Sequence, residues 1–292
     1  MTIPSFSNLT IQYSILFVLI CVGLTSCETI SEIELPEEKS QLVVNAIYNA
    51  DSLVKVDLTQ SQPVNTSGFH FAIIENASVE VFKNSVSLGF LDYKGKGKYL
   101  SKAVLPNEPG TEYSLKVKAT GFETAETSEI MPGKPEVGIL TYKDVDKGSS
   151  YYKSYKASFT LNDAPEDNFY FMKMWLQYKD NAKGNVYFSL NNTLGQFVPV
   201  GRAASEIYLF DDKSFNGRSV TFDLDIIGVY TDNCSDCNIV IELGNTSKNY
   251  FNYQFDVKKQ FNSSDVFSPE KNPVSNNIKN GLGIFAPYNS AA

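Results

Sequence analysis

Cys27 follows Leu24-Thr25-Ser26, a branched apolar residue and two small ones directly before a cysteine. This pattern suits lipoprotein processing. Small side chains let the scissile bond enter a protease, and the Cys27 thiol accepts a diacylglycerol before cleavage. Each lipid CH₂ buried in a membrane then contributes about 0.8 kcal/mol. Cys234 and Cys237 form a C-x-x-C between two strand-like runs, VTFDLDIIGVY and IVIEL, and so fall in a hairpin connection. Zinc would need further ligands, and a thioredoxin-like site needs its first cysteine at the start of a helix. A local disulfide is the economical reading in an oxidising compartment, with a redox site and a metal half-site as the alternatives. Cys21 lies within the expected leader. The one histidine, His70, sits between Phe69 and Phe71 with no G-x-S-x-G motif to accompany it, which argues against a nucleophile triad.

Carboxylates are the remaining chemistry. Asp212, Ser214 and Asn216 alternate, Gly217 follows, and Asp223 stands further on. That is the spacing of a calcium loop, with oxygen ligands at alternate positions and glycine at the sharp turn. It departs from the pattern in ending on Asp and in having strand-like flanks. The competing expectation is a hairpin with its turn at Asn216-Gly217. Asp163, Glu166 and Asp167 form an acidic turn that reads as solvated. Asp223 and Asp225 share one face of a strand. With one histidine and no nucleophile motif, an enzyme would have to work through a carboxylate pair of this kind, as glycosidases do, but alternate acids usually mark a strand's solvent side. Lys94, Lys96 and Lys98 alternate with glycines at an expected hairpin tip.

The elements that must hold these residues read as β structure. The chain has 292 residues, 42% hydrophobic and 20% charged, enough for one large domain or two ordinary ones. Its net charge of −8 argues against general nucleic-acid binding. Ile11 to Leu24 is apolar, uncharged and shorter than the roughly 20 residues that span a bilayer, so residues 1–26 read as a leader. Met1 to Ser26 contains no Lys or Arg, a departure from the usual positive start. Residues 27–40 carry Glu28, Glu32, Glu34, Glu37 and Glu38 around Pro36 and read as an acidic tether.

Residues 41–132 contain seven short alternating runs, among them LVVNAIYN, LVKVDLT, ASVEVFK and VSLGFLDY, the pattern of an immunoglobulin- or prealbumin-like β-sandwich. Pro132-Gly133-Lys134-Pro135 marks a boundary. Residues 133–292 read as a second β-rich domain, with NFYFMKMWLQY as a central strand buried on both faces. Tyr250, Tyr253, Val257 and Phe261 fall three or four apart, predicting one amphipathic helix over 247–261 capped by Ser247. LGIF near the end predicts a last strand.

Four stretches carry a family resemblance: the post-lipobox C-E-x-x-x-E-I-E-L-P with LVVNAIYNADSLVKVDLTQSQPV, then LNDAPEDNFYFMKMW, LFDDKSFNGRSVTFDL and SNNIKNGLGIFAPY. Together they resemble the exported lipoproteins of domain of unknown function 4249, found in Gram-negative bacteria rich in TonB-dependent outer-membrane transporters. Asn168-Phe169-Tyr170 has Phe where that family often has Tyr. The resemblance implies an outer-membrane location, a lipid anchor at Cys27 and a TonB-dependent transporter as partner. It supplies no catalytic residue. The expectation is a non-enzymatic accessory or ligand-capture lipoprotein at the cell surface, with no cofactor beyond the candidate calcium loop. The alternative is a surface adhesin without a transport role.

Overall fold

A computed structural model describes residue 13 and residues 39–62, 71–145, 152–191, 198–200, 207–230, 237–262 and 273–292. Residues 39–292 form one compact unit. Cys27, His70, Cys234 and most of the expected leader and tether lie outside the described residues.

Period-two alternation builds the first strands. β1 (Leu42–Asn49) buries Leu42, Val44, Ala46 and Tyr48, and β2 (Leu53–Gln60) buries Val54, Val56 and Leu58. β3 (Ala77–Lys83) and β4 (Val86–Phe90) form a hairpin whose turn residues Asn84 and Ser85 have φ of 46° and 66°. These left-handed values match the twist of the flanking strands. VSLGFLDY, read from sequence as one strand, is divided. Gly89 takes φ 108°, Leu91 is buried, and β5 (Asp92–Tyr93) enters a different sheet from β4. Lys96 lies at the tip between β5 and β6 (Lys98–Val104), where Gly95, Lys96 and Gly97 all have positive φ. β7 (Glu112–Ala119) and β8 (Ala125–Ile130) follow.

Beyond Pro132-Gly133 come β9 (Glu136–Val137), β10 (Thr141–Asp144) and the long β11 (Tyr152–Asn162). β12 (Phe169–Gln177), β13 (Lys183–Gly184), β14 (Tyr187–Leu190), β15 (Val198–Val200) and β16 (Ile207–Asp211) succeed them. The chain ends with β17 (Ser219–Tyr230), β18 (Asn238–Thr246), helix α1 (Lys248–Asn262) and β19 (Leu282–Ala291).

These strands make three sheets. The largest has ten strands in the order β15-β16-β12-β18-β19-β1-β2-β6-β5, with β13 beside β12. The second is β10-β11-β17-β14 with β9 on β11, and the third is β4-β3-β7-β8. The β1/β2/β6 part of the large sheet packs on the third sheet around Val44, Val56, Tyr99, Tyr113, Leu115 and Phe285. The β12/β16/β18 part packs on the second sheet around Phe159, Tyr170, Met172, Phe210, Phe222 and Leu224. The protein is therefore mainly β, built as two sandwiches that share one sheet.

The helix covers the opposite face of that shared sheet, with Tyr250 against Phe171, Leu209, Ile284 and Ala286. Its start is fixed as the sequence implies: the Tyr250 amide donates to Ser247 Oγ at 3.2 Å. β12 is accordingly covered on both faces, with Tyr170 and Met172 toward one core and Phe171 toward the helix.

β19 joins the two halves. It runs parallel to β1, Val44 opposite Gly283 and Ala46 opposite Phe285, and antiparallel to β18. The residues of SNNIKNGLGIFAPY serve this insertion. Asn277 donates to the Phe285 carbonyl at 2.8 Å and accepts from the Phe285 amide at 3.0 Å, as a neighbouring strand would. Asn276 donates to the carbonyls of Ile278 and Gly281. Gly283 has φ 115°, and a Cβ there would collide with the Val44 carbonyl. Asn289 reaches the Pro132 carbonyl at 3.3 Å, tying the expected boundary segment to β19.

Candidate functional site

The outer face of the second sheet follows from strict alternation in two long strands. In β11, Ala157, Phe159 and Leu161 turn into the core, which leaves Lys156, Ser158, Thr160 and Asn162 outside. In β17, Phe222, Leu224 and Ile226 turn inward, leaving Ser219, Thr221, Asp223 and Asp225 outside. Antiparallel register then sets Lys156 opposite Asp225, Ser158 opposite Asp223, Thr160 opposite Thr221 and Asn162 opposite Ser219. Polar groups thus meet in rows across the face.

The flanking strands raise two walls. β10 adds Lys143 beside Lys156 and Thr141 beside Ser158. On the other side Asn191, just past β14, is bound by its amide to the Asp223 carbonyl at 2.9 Å. Its side-chain Nδ2 donates to Asp225 Oδ2 at 2.6 Å. The result is an open trough of about 570 Å³ lined by Thr141, Tyr142, Lys143, Lys156, Ser158, Asn191, Asp223 and Asp225. Lys156 Nζ lies 3.6 Å from Asp225 Oδ1, so the acid is shared between a cation and an amide. Tyr142, opposite the inward-facing Ala157, turns its ring to the other face of the sheet, where it is 74% exposed and edge-on to Tyr155 at 6.3 Å between centroids.

The expected calcium ligands are divided between two places. Asp223 faces the trough. Asp212 is buried, and its Oδ2 accepts from the Asn168 amide at 2.6 Å. Burial is the main cause that raises the Asp212 pKa, opposed by the Asn168 hydrogen bond and reinforced by Asp163. The Ser214 carbonyl accepts from Arg218, and Phe215 is buried among Phe210 and Phe222. Gly217 takes φ 69°, so positive φ occurs where the sequence suggested. The 212–218 segment is nevertheless an arch between two sheets and not a hairpin, because β16 pairs with β12 while β17 pairs with β11. Among the described residues, no group of three or more His, Cys, Asp or Glu is placed to hold a metal ion.

The acidic turn expected to be solvated is partly structural. Asp163 accepts from the Tyr170 hydroxyl at 2.7 Å and from the Gly217 amide at 2.8 Å. Burial, followed by the hydrogen bond to Asp163, pushes the Tyr170 pKa far up. Asn168 donates to the carbonyls of Ala164 and Glu166 and accepts from Asn245 at 3.1 Å. LNDAPEDNFYF and LFDDKSFNGR are therefore two halves of one fastening.

Cys237 is half-buried against the second core, while Cys234 lies outside the described residues. Their segment also runs between sheets, since β17 and β18 do not pair. At this margin Leu140, Tyr155, Ile226, Val229, Cys237, Ile239 and Ile241 line a recess of about 290 Å³.

Sequence reasoning saw Asp223 and Asp225 on one face but missed Lys143, Lys156 and Asn191. The polar alternation K-x-S-x-T-x-N over 156–162 was the available signal. It gains meaning only once β11 is known to lie beside β17.

The chain belongs to the family described as domain of unknown function DUF4249, which matches residues 28–292. No curated protein matches it. Among solved structures, the chain is similar to one described as a membrane anchored protein from Corynebacterium diphtheriae, with 12% identity and a TM-score of 0.22. That similarity covers 70% of this chain and 54% of the other, so the chain spans about half the length of that structure.

Proposed function

We propose that this chain is a non-catalytic binding lipoprotein, anchored through Cys27 in the outer membrane and facing the cell surface, that captures a ligand for a TonB-dependent transporter. The observation that carries the reading is the trough. Its floor is two long strands in regular register from Tyr155 to Asn162, so its polar groups are positioned before any ligand arrives. The lipobox at Leu24-Thr25-Ser26-Cys27 and the acidic segment after it support attachment by a tether. A Cys234–Cys237 disulfide, closing the crossing between β17 and β18, belongs to the same reading of an exported chain. Thiol titration of the unfolded, unreduced protein should find neither cysteine free.

The test is a pull-down from native outer membranes, with partners named by mass spectrometry, on the wild type and on Cys27→Ser. The wild type should incorporate labelled palmitate and retain a TonB-dependent transporter, and the variant should lose the label. A lipidated wild type that retains no transporter would remove the transport part of the proposal. The trough opens to solvent, which also admits a long polymer, and this favours surface adhesion as the second reading. Adhesion without transport predicts that deleting the gene lowers attachment and leaves nutrient uptake intact.

A further inference from the structure

We propose that the trough on the β10-β11-β17-β14 sheet is a carbohydrate site that takes a neutral oligosaccharide segment. This rests on the reading of the chain as a binding protein and adds the class of ligand.

The charges come first. Lys143 and Lys156 are matched by Asp223 and Asp225 within one lining, so the trough selects no net charge. A phosphate backbone would require an excess of cations. A protein interface would require an apolar centre. Ala157 and Leu224, the apolar residues of the floor, are buried with their side chains in the core and offer only backbone to the trough.

Donors and acceptors come next. Sugar hydroxyls each donate and accept, so they are best met by carboxylate, amide and ammonium groups set close together. The Asn191–Asp225–Lys156 group supplies one of each, held at 2.6 Å and 3.6 Å. The adjoining row adds the Thr141 and Ser158 hydroxyls and the Asp223 carboxylate. Four neighbouring strands at about 4.8 Å spacing span about 14 Å, enough for a short oligosaccharide laid across them.

The full-length lipidated protein, fluorescently labelled and kept in a detergent without a sugar headgroup, is applied to a printed array of neutral and charged oligosaccharides. A subset of neutral oligosaccharides should be retained. Asn191→Ala, Asp225→Ala and Lys156→Ala should each weaken retention about ten-fold or more. Lys213→Ala, on the distant 212–218 arch, should leave it unchanged. Thermal melting within a few degrees of wild type qualifies each variant as folded, and Tyr142→Ala, whose side chain lies on the opposite face of the sheet, should preserve retention. An array with no retained sugar, retention of charged sugars alone, or retention indifferent to all three trough variants would overturn the proposal. A transporter recovered by pull-down alongside a blank array would leave the transport reading standing and remove this one.

Discussion

Asp163 ties the end of β11 to two other segments, bonding with one oxygen to the Tyr170 hydroxyl and with the other to the Gly217 amide. Replacing it with Ala strands the part-buried Tyr170 hydroxyl, which costs about 1–3 kcal/mol, while the exposed Gly217 amide can turn to water. Asp163→Ala should lower the melting temperature by several degrees at neutral pH, at about 2–4 °C for each kcal/mol in a chain of this size. An unchanged melt would show that water replaces the carboxylate at no cost. Asp212 makes a different prediction because burial raises its pKa. The folded chain then holds that proton more tightly than the unfolded chain, so stability declines as pH rises from about 4 through the raised value and is level above it. Asp212→Asn lacks this proton, and Asn can still accept from the Asn168 amide. The difference in melting temperature should therefore move in favour of the variant across that window. A difference constant with pH would show that Asp212 titrates normally.

At the scale of elements, β19 and α1 are held by local chemistry that is open to test. Gly283 combines a positive φ with close approach to the Val44 carbonyl, so Gly283→Val adds backbone strain of about 1–3 kcal/mol to a direct clash. It should prevent β19 from pairing with β1, seen as lost amide protection in both strands. Ser247→Ala removes a helix cap and should cost about 1 kcal/mol, measured by chemical denaturation. The helix was legible in the sequence to within a residue, because its cap and its three- or four-residue aromatic spacing are local signals. The alternation of β1, β2, β3 and β7 was legible for the same reason. The partners of β19 were not: parallel pairing with β1 depends on contacts more than two hundred residues apart, such as Asn49 with Ser290 at a separation of 241. The division of VSLGFLDY was hidden because no turn residue separates Phe90 from Asp92, and only the sheets show that the chain changes partners there. For the trough, one wall and the register were equally invisible, since both come from pairing.

For the molecule as a whole, the shared sheet implies one cooperative unit. The N-terminal core contains Phe285 of β19, and the helix-side cluster contains its neighbours Ile284 and Ala286. Trp175 is the sole tryptophan and lies on β12 in the other half of the shared sheet, which makes it a natural reporter. Leu58→Ala, in the N-terminal core, should cost about 2–5 kcal/mol. Trp175 fluorescence should then shift to lower temperature together with the far-ultraviolet signal. If the tryptophan transition stays in place while the circular dichroism acquires a second step, the sandwiches unfold separately.

The late arrival of β19 also bears on how such a chain is made. While the ribosome is still translating the second sandwich, β1 lacks its parallel neighbour and the N-terminal core lacks Phe285. An unpaired edge and an unfilled core favour an open nascent chain, and pairing across such a distance is slow to close. In the exported chain proposed above, that delay would ease threading through a secretion channel. The same strand makes completion a condition of folding: a product released before Leu282 cannot seal either half and is left as a target for proteases.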